Sequence, residues 1–563
     1  MTVASQLFGF PSLTLAAAIE FLVAARLLPG LVSSHGRLTL AAGAVLANYA
    51  FGLVFWAFLY PSFFSPLRRI RGPRAIVSAA YRSLMVKEGP SGDLFLDLVE
   101  QYPDEELIAL DRFGRQILVA KPHLLADLLV HKCYDFAKPR RIRAFLRRVL
   151  GDGLITIEED QHKFIRKNTM PAFHARHITD LYPMMWSKAA ILVRTLNRQI
   201  AGAAAAEAEP APDGSAVLEL TGWAHKVTLD IIGVAGMGRA LNVVEKPGDP
   251  LQELYEELLE PEREKILFAG LSLAFGFPVV RMLPWRMNKL FLYLTSSLEN
   301  ICRDLIREKR KAIVEKKDDH FDILSLLIKT DNFDDEVLKD QLLTFLAAGH
   351  ETTASALVWA AYLLAKHPEY QTKLRDEVTQ ALGADPLAGD AAAAAAGDLA
   401  GVLKQLPYLN GVAHETLRLY PTVPLTMREA LRDTALGAHA IPRGTEMVVS
   451  IWQVNRSPAI WGPDAGRFRP ERWINADDGR ANRHGGARSN YDFLTFLQGP
   501  RSCIGQEFAK AELRCLLAAL VASFSWDLAM DESRIVPRGV ITIKPEHGMY
   551  LRMRPIHRHG AYS

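Results

Sequence analysis

The stretch Phe496-Leu497-Gln498-Gly499-Pro500-Arg501-Ser502-Cys503-Ile504-Gly505 places one cysteine at the end of a glycine-containing turn. A mainly apolar run with helical spacing follows over residues 506–524, so Cys503 stands where a helix begins. The free N–H groups and partial positive charge of a helix start favour a thiolate over a thiol. The stretch therefore predicts a metal-binding cysteine. The simpler alternative is a buried cysteine ahead of a core helix.

Length, cysteine content and net charge limit the classes of protein that fit this chain. Its 563 residues can bury a large core. The four cysteines are too few and too scattered for a disulfide framework, which indicates a reducing compartment. The net charge of +3 is small, and no basic stripe with interleaved aromatic residues occurs, so nucleic acid is not an expected partner.

The N-terminal part of the chain contains a long apolar stretch. Residues 38–67 carry no charged side chain, and this uncharged stretch is long enough to cross a bilayer as a helix. The cluster Arg68, Arg69, Arg71 and Arg74 follows and places the rest of the chain on the cytoplasmic side. We therefore predict a membrane-anchor region over residues 1–67, with a span at 38–60, and a large globular region over 68–563.

A second apolar segment, residues 13–32, precedes this span. It contains Glu20 and Arg26, whose charges are costly at the centre of a bilayer. The segment is therefore either an interfacial helix or a second, weaker span. One span would place the N-terminus in the lumen, whereas two would return it to the cytosol.

The stretch Ala348-Gly349-His350-Glu351-Thr352-Thr353 lies inside an apolar helical pattern over residues 342–364. A glycine, an acid and two hydroxyls are unfavourable in the middle of a buried helix, and they predict a local break in its hydrogen bonding. The alternative is a solvated helix face, but the apolar residues on both sides argue against it.

Charged residues recur at helical spacing elsewhere. Glu415 and Arg418 are three residues apart and share a helix face, and Arg472 follows in the stretch Phe468-Arg469-Pro470-Glu471-Arg472-Trp473. His162 and Arg166, four residues apart, share another face. Such pairs are common on solvated helices, so each is a weak signal by itself.

Four stretches follow one another within residues 68–555: residues 348–353, Glu415-x-x-Arg418, Pro470-Glu471-Arg472 and the cysteine stretch. Together, and in this order, they resemble the motifs of the cytochrome P-450 family. The resemblance implies a mainly α fold with small β-sheets, preceded by a membrane helix. It also implies haem b, iron protoporphyrin IX, as the cofactor of a catalytic domain over residues 68–563.

The resemblance implies a role for each site residue. Cys503 would be the axial iron ligand, Gly499 and Gly505 would let the backbone approach the haem, and Phe496 would pack beside the sulfur. Residues that would contact the haem propionates are Arg501, Arg166, Arg428 and His162, the last standing where the family often has tryptophan. The charge triad Glu415, Arg418 and Arg472 would fix the segment that carries the cysteine.

On the opposite side of the haem, Thr352 and Glu351 would be the catalytic residues that deliver protons to the oxygen being activated. The side chains that would face the substrate, with ordinary loop packing as the alternative, are Val423, Pro424, Leu425, Val540 and Ile541. Residues 268–284, apolar and without an acid, are either a second membrane contact or ordinary core.

The implied function is a monooxygenase that inserts one atom of O2 into a lipophilic small molecule. Electrons would come from an NADPH–cytochrome reductase, with cytochrome b5 as an optional second donor. The resemblance is to fungal members of the microsomal type that act in secondary metabolism, so we expect the endoplasmic reticulum membrane, with the catalytic domain facing the cytosol.

Two other functions are open at this point. One is a haem-thiolate isomerase or dehydratase that needs no reductase; such relatives commonly lack the acid–threonine pair that this chain keeps. The other is a non-enzymatic membrane haem sensor, which would leave Glu351 and Thr352 without a role.

Overall fold

The computed structural model describes residues 10–27, 36–73, 92–111, 115–206, 213–259, 262–315, 322–387, 398–539 and 541–556. Three predicted features lie outside these ranges: Arg74, Val540 and the last five residues of the segment 13–32. Every other predicted site residue lies within them.

Helices dominate the described part of the chain. In order they are α1 (Phe10–Leu27), α2 (Arg37–Val54), α3 (Asp93–Gln101), α4 (Pro122–Ala126), α5 (Arg140–Leu150), α6 (Glu159–Thr169), α7 (Ala175–Asp180), α8 (Tyr182–Ala206), α9 (Leu220–Met237), α10 (Pro250–Leu259), α11 (Arg263–Phe275), α12 (Phe277–Arg281), α13 (Arg286–Val314), α14 (Ile323–Lys329), α15 (Asp335–Lys366), α16 (Pro368–Leu382), α17 (Leu399–Gln405), α18 (Pro407–Leu419), α19 (Ile451–Arg456), α20 (Pro458–Trp461) and α21 (Gln506–Ser523).

Wider and tighter helical turns extend or connect these helices. The π-helical segments Phe55–Phe64 and Asp127–His131 continue α2 and α4. Short 3₁₀ helices occupy Pro66–Arg69, Met170–Phe173, Pro470–Trp473, Gly499–Arg501 and Glu532–Arg534. One helix of the described residues, over Thr39–Tyr60, is long and apolar enough to cross a membrane, a test that a buried core helix or a signal sequence would also pass.

The strands are short and form small sheets. They are β1 (Leu107–Ala109), β2 (Gln116–Val119), β3 (Phe136–Ala137), β4 (Ala216–Glu219), β5 (Leu425–Ala430), β6 (Thr434–Leu436), β7 (His439–Ile441), β8 (Glu446–Ser450), β9 (Phe524–Leu528), β10 (Pro537–Arg538), β11 (Lys544–Pro545) and β12 (Tyr550–Pro555). The sheet orders are β1-β2-β8-β5-β3, β4-β12-β9, β10-β11 and β6-β7. Among the strands of the described residues, only β2 and β8 pair in parallel, with Ile117 opposite Met447. The predicted mainly helical fold with small sheets is confirmed.

Helix α15 runs through the core of the molecule. Asp334 caps its start by accepting a hydrogen bond from the Val337 N–H at 2.8 Å, and Lys366 lies in its last turn, where a cation suits the helix dipole. The helix ends before Pro368, as the proline geometry requires. Most of its residues between positions 342 and 364 are buried, and it packs against α9, α13 and α21.

The carboxylate of Glu415, which is fully buried in α18, gathers several donors. Arg418 donates to it through Nε and Nη2, both at 2.8 Å, and Trp473 donates through Nε1 at 2.8 Å. Arg472 approaches it at 3.4 Å and pairs with Asp464 at 3.1 Å. The structure therefore brings the three residues of the predicted charge triad together.

The same cluster reaches the segment that carries the cysteine. Arg418 Nη1 donates to the Asn455 carbonyl at 2.7 Å, and the Asn455 amide donates to the Thr495 hydroxyl at 2.8 Å. Thr495 in turn donates to the Leu417 carbonyl of α18 at 2.7 Å. These bonds fix the backbone immediately before Phe496.

Arg472→Ala should lower the thermal unfolding temperature and the haem content of the folded protein, because it leaves the buried Glu415 short of a donor. Loss of one partner of a buried pair typically costs about 3–5 kcal/mol. Arg469→Ala is the matched control, because Arg469 pairs with the same Asp464 but is more than half exposed; we expect an effect within about 1 kcal/mol. Equal effects of the two substitutions would contradict a structural role for the triad.

Candidate active site

A cavity of about 590 Å³ lies between the middle of α15 and the turn that leads into α21. Glu351 and Thr352 line it from α15, and Phe496 and Cys503 line it from the turn. Its apolar lining includes Phe145, Phe291, Leu294, Phe345, Ile451 and Ile541. The two motifs that the sequence singled out, more than a hundred residues apart, therefore border the same space.

The turn before α21 presents Cys503 to this cavity. The Cys503 N–H donates to the Phe496 carbonyl at 2.8 Å and closes the turn. Gly499 has a φ of 77°, and a Cβ there would lie 2.2 Å from the Leu129 carbonyl oxygen. The Leu129 backbone therefore requires glycine at this position, and the expected approach of Gly499 to a cofactor stays a prediction.

Gly505 has open space at the position where a Cβ would lie. The nearest atom to a Cβ built there is 4.0 Å away, on Phe173, so the packing of the protein does not require glycine. The residue lines the cavity, and a Cβ would project toward that space.

Of the four cysteines, Cys503 is the one that lines the cavity; the other three are buried elsewhere in the described chain. Burial raises the pKa of the Cys503 thiol above its usual value, and the backbone N–H of Gly505 opposes this effect only in part. The positive charges of Arg166 and Lys510 act in the same direction as that N–H. A metal cation bound to the sulfur would deprotonate the thiol.

Two of the predicted propionate-binding arginines have protein partners. Arg501 pairs with Glu158, Nη2 to Oε2 at 2.6 Å, and also donates to the carbonyl oxygens of Cys133 and Phe136. Arg166 donates to the Ser502 carbonyl at 2.7 Å and to its hydroxyl at 3.1 Å. These hydrogen bonds hold the cysteine turn in place, and both arginine side chains also line the cavity.

Positive charge exceeds negative charge beside Arg501. Lys138, 3.3 Å from Glu158, and Arg428 both lie near the same carboxylate. Burial lowers the pKa of Lys138 to about 8 and that of Arg428 to about 10. Arg428 is 2% exposed, donates only to the Thr426 hydroxyl and the Met427 carbonyl, and has no carboxylate at ion-pair distance among the described residues.

His162 adds an unsatisfied polar atom to the same wall. Its side chain is buried, and its Nδ1 has no hydrogen-bond partner among the described residues. Burial, with the nearby charge of Lys138, lowers its pKa to about 4, so the imidazole is neutral at physiological pH. A neutral ring with a free nitrogen can donate to an anion in the cavity.

The polar stretch of α15 does not interrupt the helix, which is continuous from Asp335 to Lys366. The predicted local break is therefore wrong. The Thr352 hydroxyl donates to the Ala348 carbonyl at 2.8 Å, so the side chain bonds back within the helix. Gly349 allows close packing with α9, because a Cβ there would lie 2.9 Å from the Ile232 side chain.

The family-level comparison agrees with this geometry. The sequence model of the cytochrome P-450 family matches residues 112–552. The chain belongs to the cytochrome P-450 family. Its enzyme class is that of the cytochrome P-450 monooxygenases, and the cofactor that this family implies is haem iron.

Relatives in fungi match almost the whole chain. The cytochrome P-450 monooxygenase sphH of Aspergillus fumigatus is 40% identical over 90% of this chain and 91% of its own length. The monooxygenase FUM15 of Gibberella moniliformis is 35% identical over 91% of each chain. The monooxygenase ptmK of Penicillium ochrochloron is 34% identical over 89% of this chain and 97% of its own length.

The residues of the cavity fit the haem of a cytochrome P-450. Cys503 offers a sulfur ligand, and the open side of Gly505 leaves room for a flat group. Lys138, which shares Glu158 with Arg501, and the unpartnered His162 nitrogen line the cavity and suit the haem carboxylates, whereas Arg428 is buried near Glu158 and does not itself line the cavity. Sequence reasoning missed Lys138 and Glu158, because neither lies in a recognisable motif.

The predicted substrate-facing residues divide into two groups. Val423 and Ile541 line the cavity, whereas Pro424 and Leu425 do not. The segment 268–284 is also divided. Phe268 is buried and lines the cavity. By contrast, the side chains of Phe275 in α11, Val279 in α12 and Met282, which follows α12, are exposed.

Arg428→Met should weaken haem binding and leave the haem-free protein at least as stable, because it removes a buried cation that lacks a protein counter-charge. Charged hydrogen bonds contribute about 1.5–3 kcal/mol, so haem transfer to excess apomyoglobin should quicken about tenfold or more. Arg375→Met, a half-buried arginine that donates to Val521 and Phe524 carbonyls, is the control for general destabilisation. Unchanged haem transfer in Arg428→Met would contradict the carboxylate-binding role.

Proposed function

We propose that this cytochrome P-450 inserts one oxygen atom of O2 into a lipophilic small molecule, of the kind made in fungal secondary metabolism, with haem b as cofactor. Electrons would come from an NADPH–cytochrome reductase, with cytochrome b5 as an optional second donor. The observation that carries the proposal is that Cys503 and Thr352 border one mainly apolar cavity.

The cavity walls support the choice of substrate class. Bound haem supplies the activation of dioxygen, and electron donation from a cysteine thiolate favours cleavage of the O–O bond. Aromatic and aliphatic side chains form most of the remaining surface, so a lipophilic molecule is held by apolar contact and water is excluded. Val423 and Ile541 are the predicted residues that contact it.

Glu351 and Thr352 are proposed to move protons into this cavity. Glu351 lines the main cavity and also a smaller polar one of about 250 Å³, whose wall includes His225, Glu256 and Lys544. The carboxylate can take a proton from the polar side, and the Thr352 hydroxyl, one residue on, can pass it inward. Positioned acids of this kind contribute about a hundredfold or more in rate.

The N-terminal helices and an outer apolar surface support attachment to a membrane. We propose an anchor region over residues 1–67 and a haem-binding catalytic domain over 68–563, in the endoplasmic reticulum membrane with the catalytic domain facing the cytosol. The exposed side chains of Phe275, Val279 and Met282 suit a second contact, through which a lipophilic substrate could enter from the bilayer.

Thr352→Ala should uncouple the enzyme, because the inward step of proton delivery loses its hydroxyl. A screen of lipophilic compounds for oxidation by the wild-type protein, dependent on NADPH and reductase, supplies the substrate. With it, the variant should still consume NADPH but release hydrogen peroxide, and product per NADPH should fall at least tenfold. Glu351→Gln should instead slow NADPH consumption.

The matched control is Thr295→Ala, because the Thr295 hydroxyl makes the same kind of bond back, to the Phe291 carbonyl at 2.9 Å, but the residue is buried in α13 and does not line the cavity. It should stay coupled. Tight coupling in Thr352→Ala would refute the proton route. Full product formation by the wild-type protein without reductase or NADPH would refute the monooxygenase itself and favour an isomerase or dehydratase.

A further inference from the structure

Helix α1 packs along α2 in the antiparallel sense. The contacts are Leu13 with Gly52, Thr14 with Tyr49, and Glu20 with Asn48. Residue numbers therefore increase along α1 as the numbers of their partners in α2 decrease. Leu13 and Ala17 are buried in this contact. The two helices therefore form a defined hairpin, with the connection over residues 28–36.

Glu20 is the residue that makes a membrane position of α1 most costly, and the hairpin gives its carboxyl group a hydrogen-bond donor. The Asn48 amide donates to the Glu20 carboxyl at 2.6 Å and also to the Ala44 carbonyl at 3.0 Å. The Thr14 and Tyr49 hydroxyls are 3.0 Å apart. Polar side chains within a bilayer pair in this way across neighbouring helices.

Close contact of the two helices depends on a small residue. A Cβ at Gly52 would lie 2.7 Å from a Leu13 methyl, so glycine lets the backbones approach, as at helix interfaces in membranes. The outward faces are apolar, with Leu15, Leu22, Leu46 and Leu53 each more than 60% exposed. Both helices, and not α2 alone, therefore present an apolar surface that suits contact with the acyl chains of lipid.

We propose that α1 and α2 cross the membrane together as a helical hairpin, so that the chain ahead of α1 lies on the same side as the catalytic domain. The 18 residues of α1 extend about 27 Å, close to the thickness of about 30 Å of the hydrocarbon core. Arg26, exposed in its last turn, can extend to the headgroups. The inference rests on the proposed membrane attachment, but not on the identity of the substrate.

The test uses N-glycosylation acceptors in the full chain, expressed in cells with an endoplasmic reticulum. Long, flexible acceptor tags are placed, one per variant, ahead of α1, within residues 28–36 and after Ser563. We expect modification of the tag within 28–36 only, seen as a glycosidase-sensitive mass shift. Modification of the tag ahead of α1 but not of the others would show a single span and overturn the hairpin.

The tag after Ser563 separates this inference from the proposed orientation. If it and the tag ahead of α1 are both modified and the middle tag is not, the hairpin stands and the cytosolic orientation fails. Modification of the middle tag together with the tag ahead of α1, or of none of the three, would overturn the hairpin.

The contact between Glu20 and Asn48 gives a second, independent test. Asn48→Leu leaves the Glu20 carboxyl in lipid without its amide donor, so a substantial fraction of the chains should become modified on the tag ahead of α1. Glu20→Leu combined with Asn48→Leu removes both polar groups and should restore the unmodified state. If Asn48→Leu has no effect, or if the double variant behaves like Asn48→Leu, the pairing does not hold α1 in the membrane.

Discussion

The buried carboxylate of Glu415 is the constraint on which the position of the cysteine depends. A fully buried carboxylate must be surrounded by donors, and α18 and the stretch 469–473 supply them. Arg418, held in the same cluster, links it through Asn455 and Thr495 to the backbone before Phe496. The chemistry of Cys503 thus rests on a polar network that has no chemical role itself.

The chain assembles a cofactor site with incomplete charge balance. Glu158 binds Arg501 and Lys138, while Arg428, which is buried near Glu158 but does not line the cavity, has no carboxylate at ion-pair distance among the described residues, so positive charge exceeds negative charge beside Arg501. The surrounding protein raises the pKa of the Cys503 thiol above its usual value. A ligand with a metal cation at its centre and carboxylates at its edge would balance this charge and deprotonate the thiol.

Features that depend on local sequence could be predicted, whereas features made by distant contacts could not. The mainly helical fold was implied by the family resemblance of a few local motifs, and Glu415 and Arg418 meet because three residues separate them on a helix. By contrast, Glu158 and Arg501 are 343 residues apart, and the local sequence around either residue does not predict their contact. The predicted break in α15 failed because the Thr352 hydroxyl can bond within a continuous helix. The close approach of Gly499 to the Leu129 carbonyl could not be predicted either, because Leu129 is remote in sequence.

The role proposed for Cys503 is to hold the haem iron as a thiolate. The most direct measurement is the absorption spectrum of the reduced carbon monoxide complex of Cys503→Ser, with Cys133→Ser, a buried cysteine that does not line the cavity, as control. We expect Cys503→Ser to lose the red-shifted Soret band of a thiolate-ligated haem, because a neutral hydroxyl cannot replace the electron donation of the thiolate. Cys133→Ser should keep the band. A Cys503→Ser protein that retains this band would show that Cys503 is not the iron ligand.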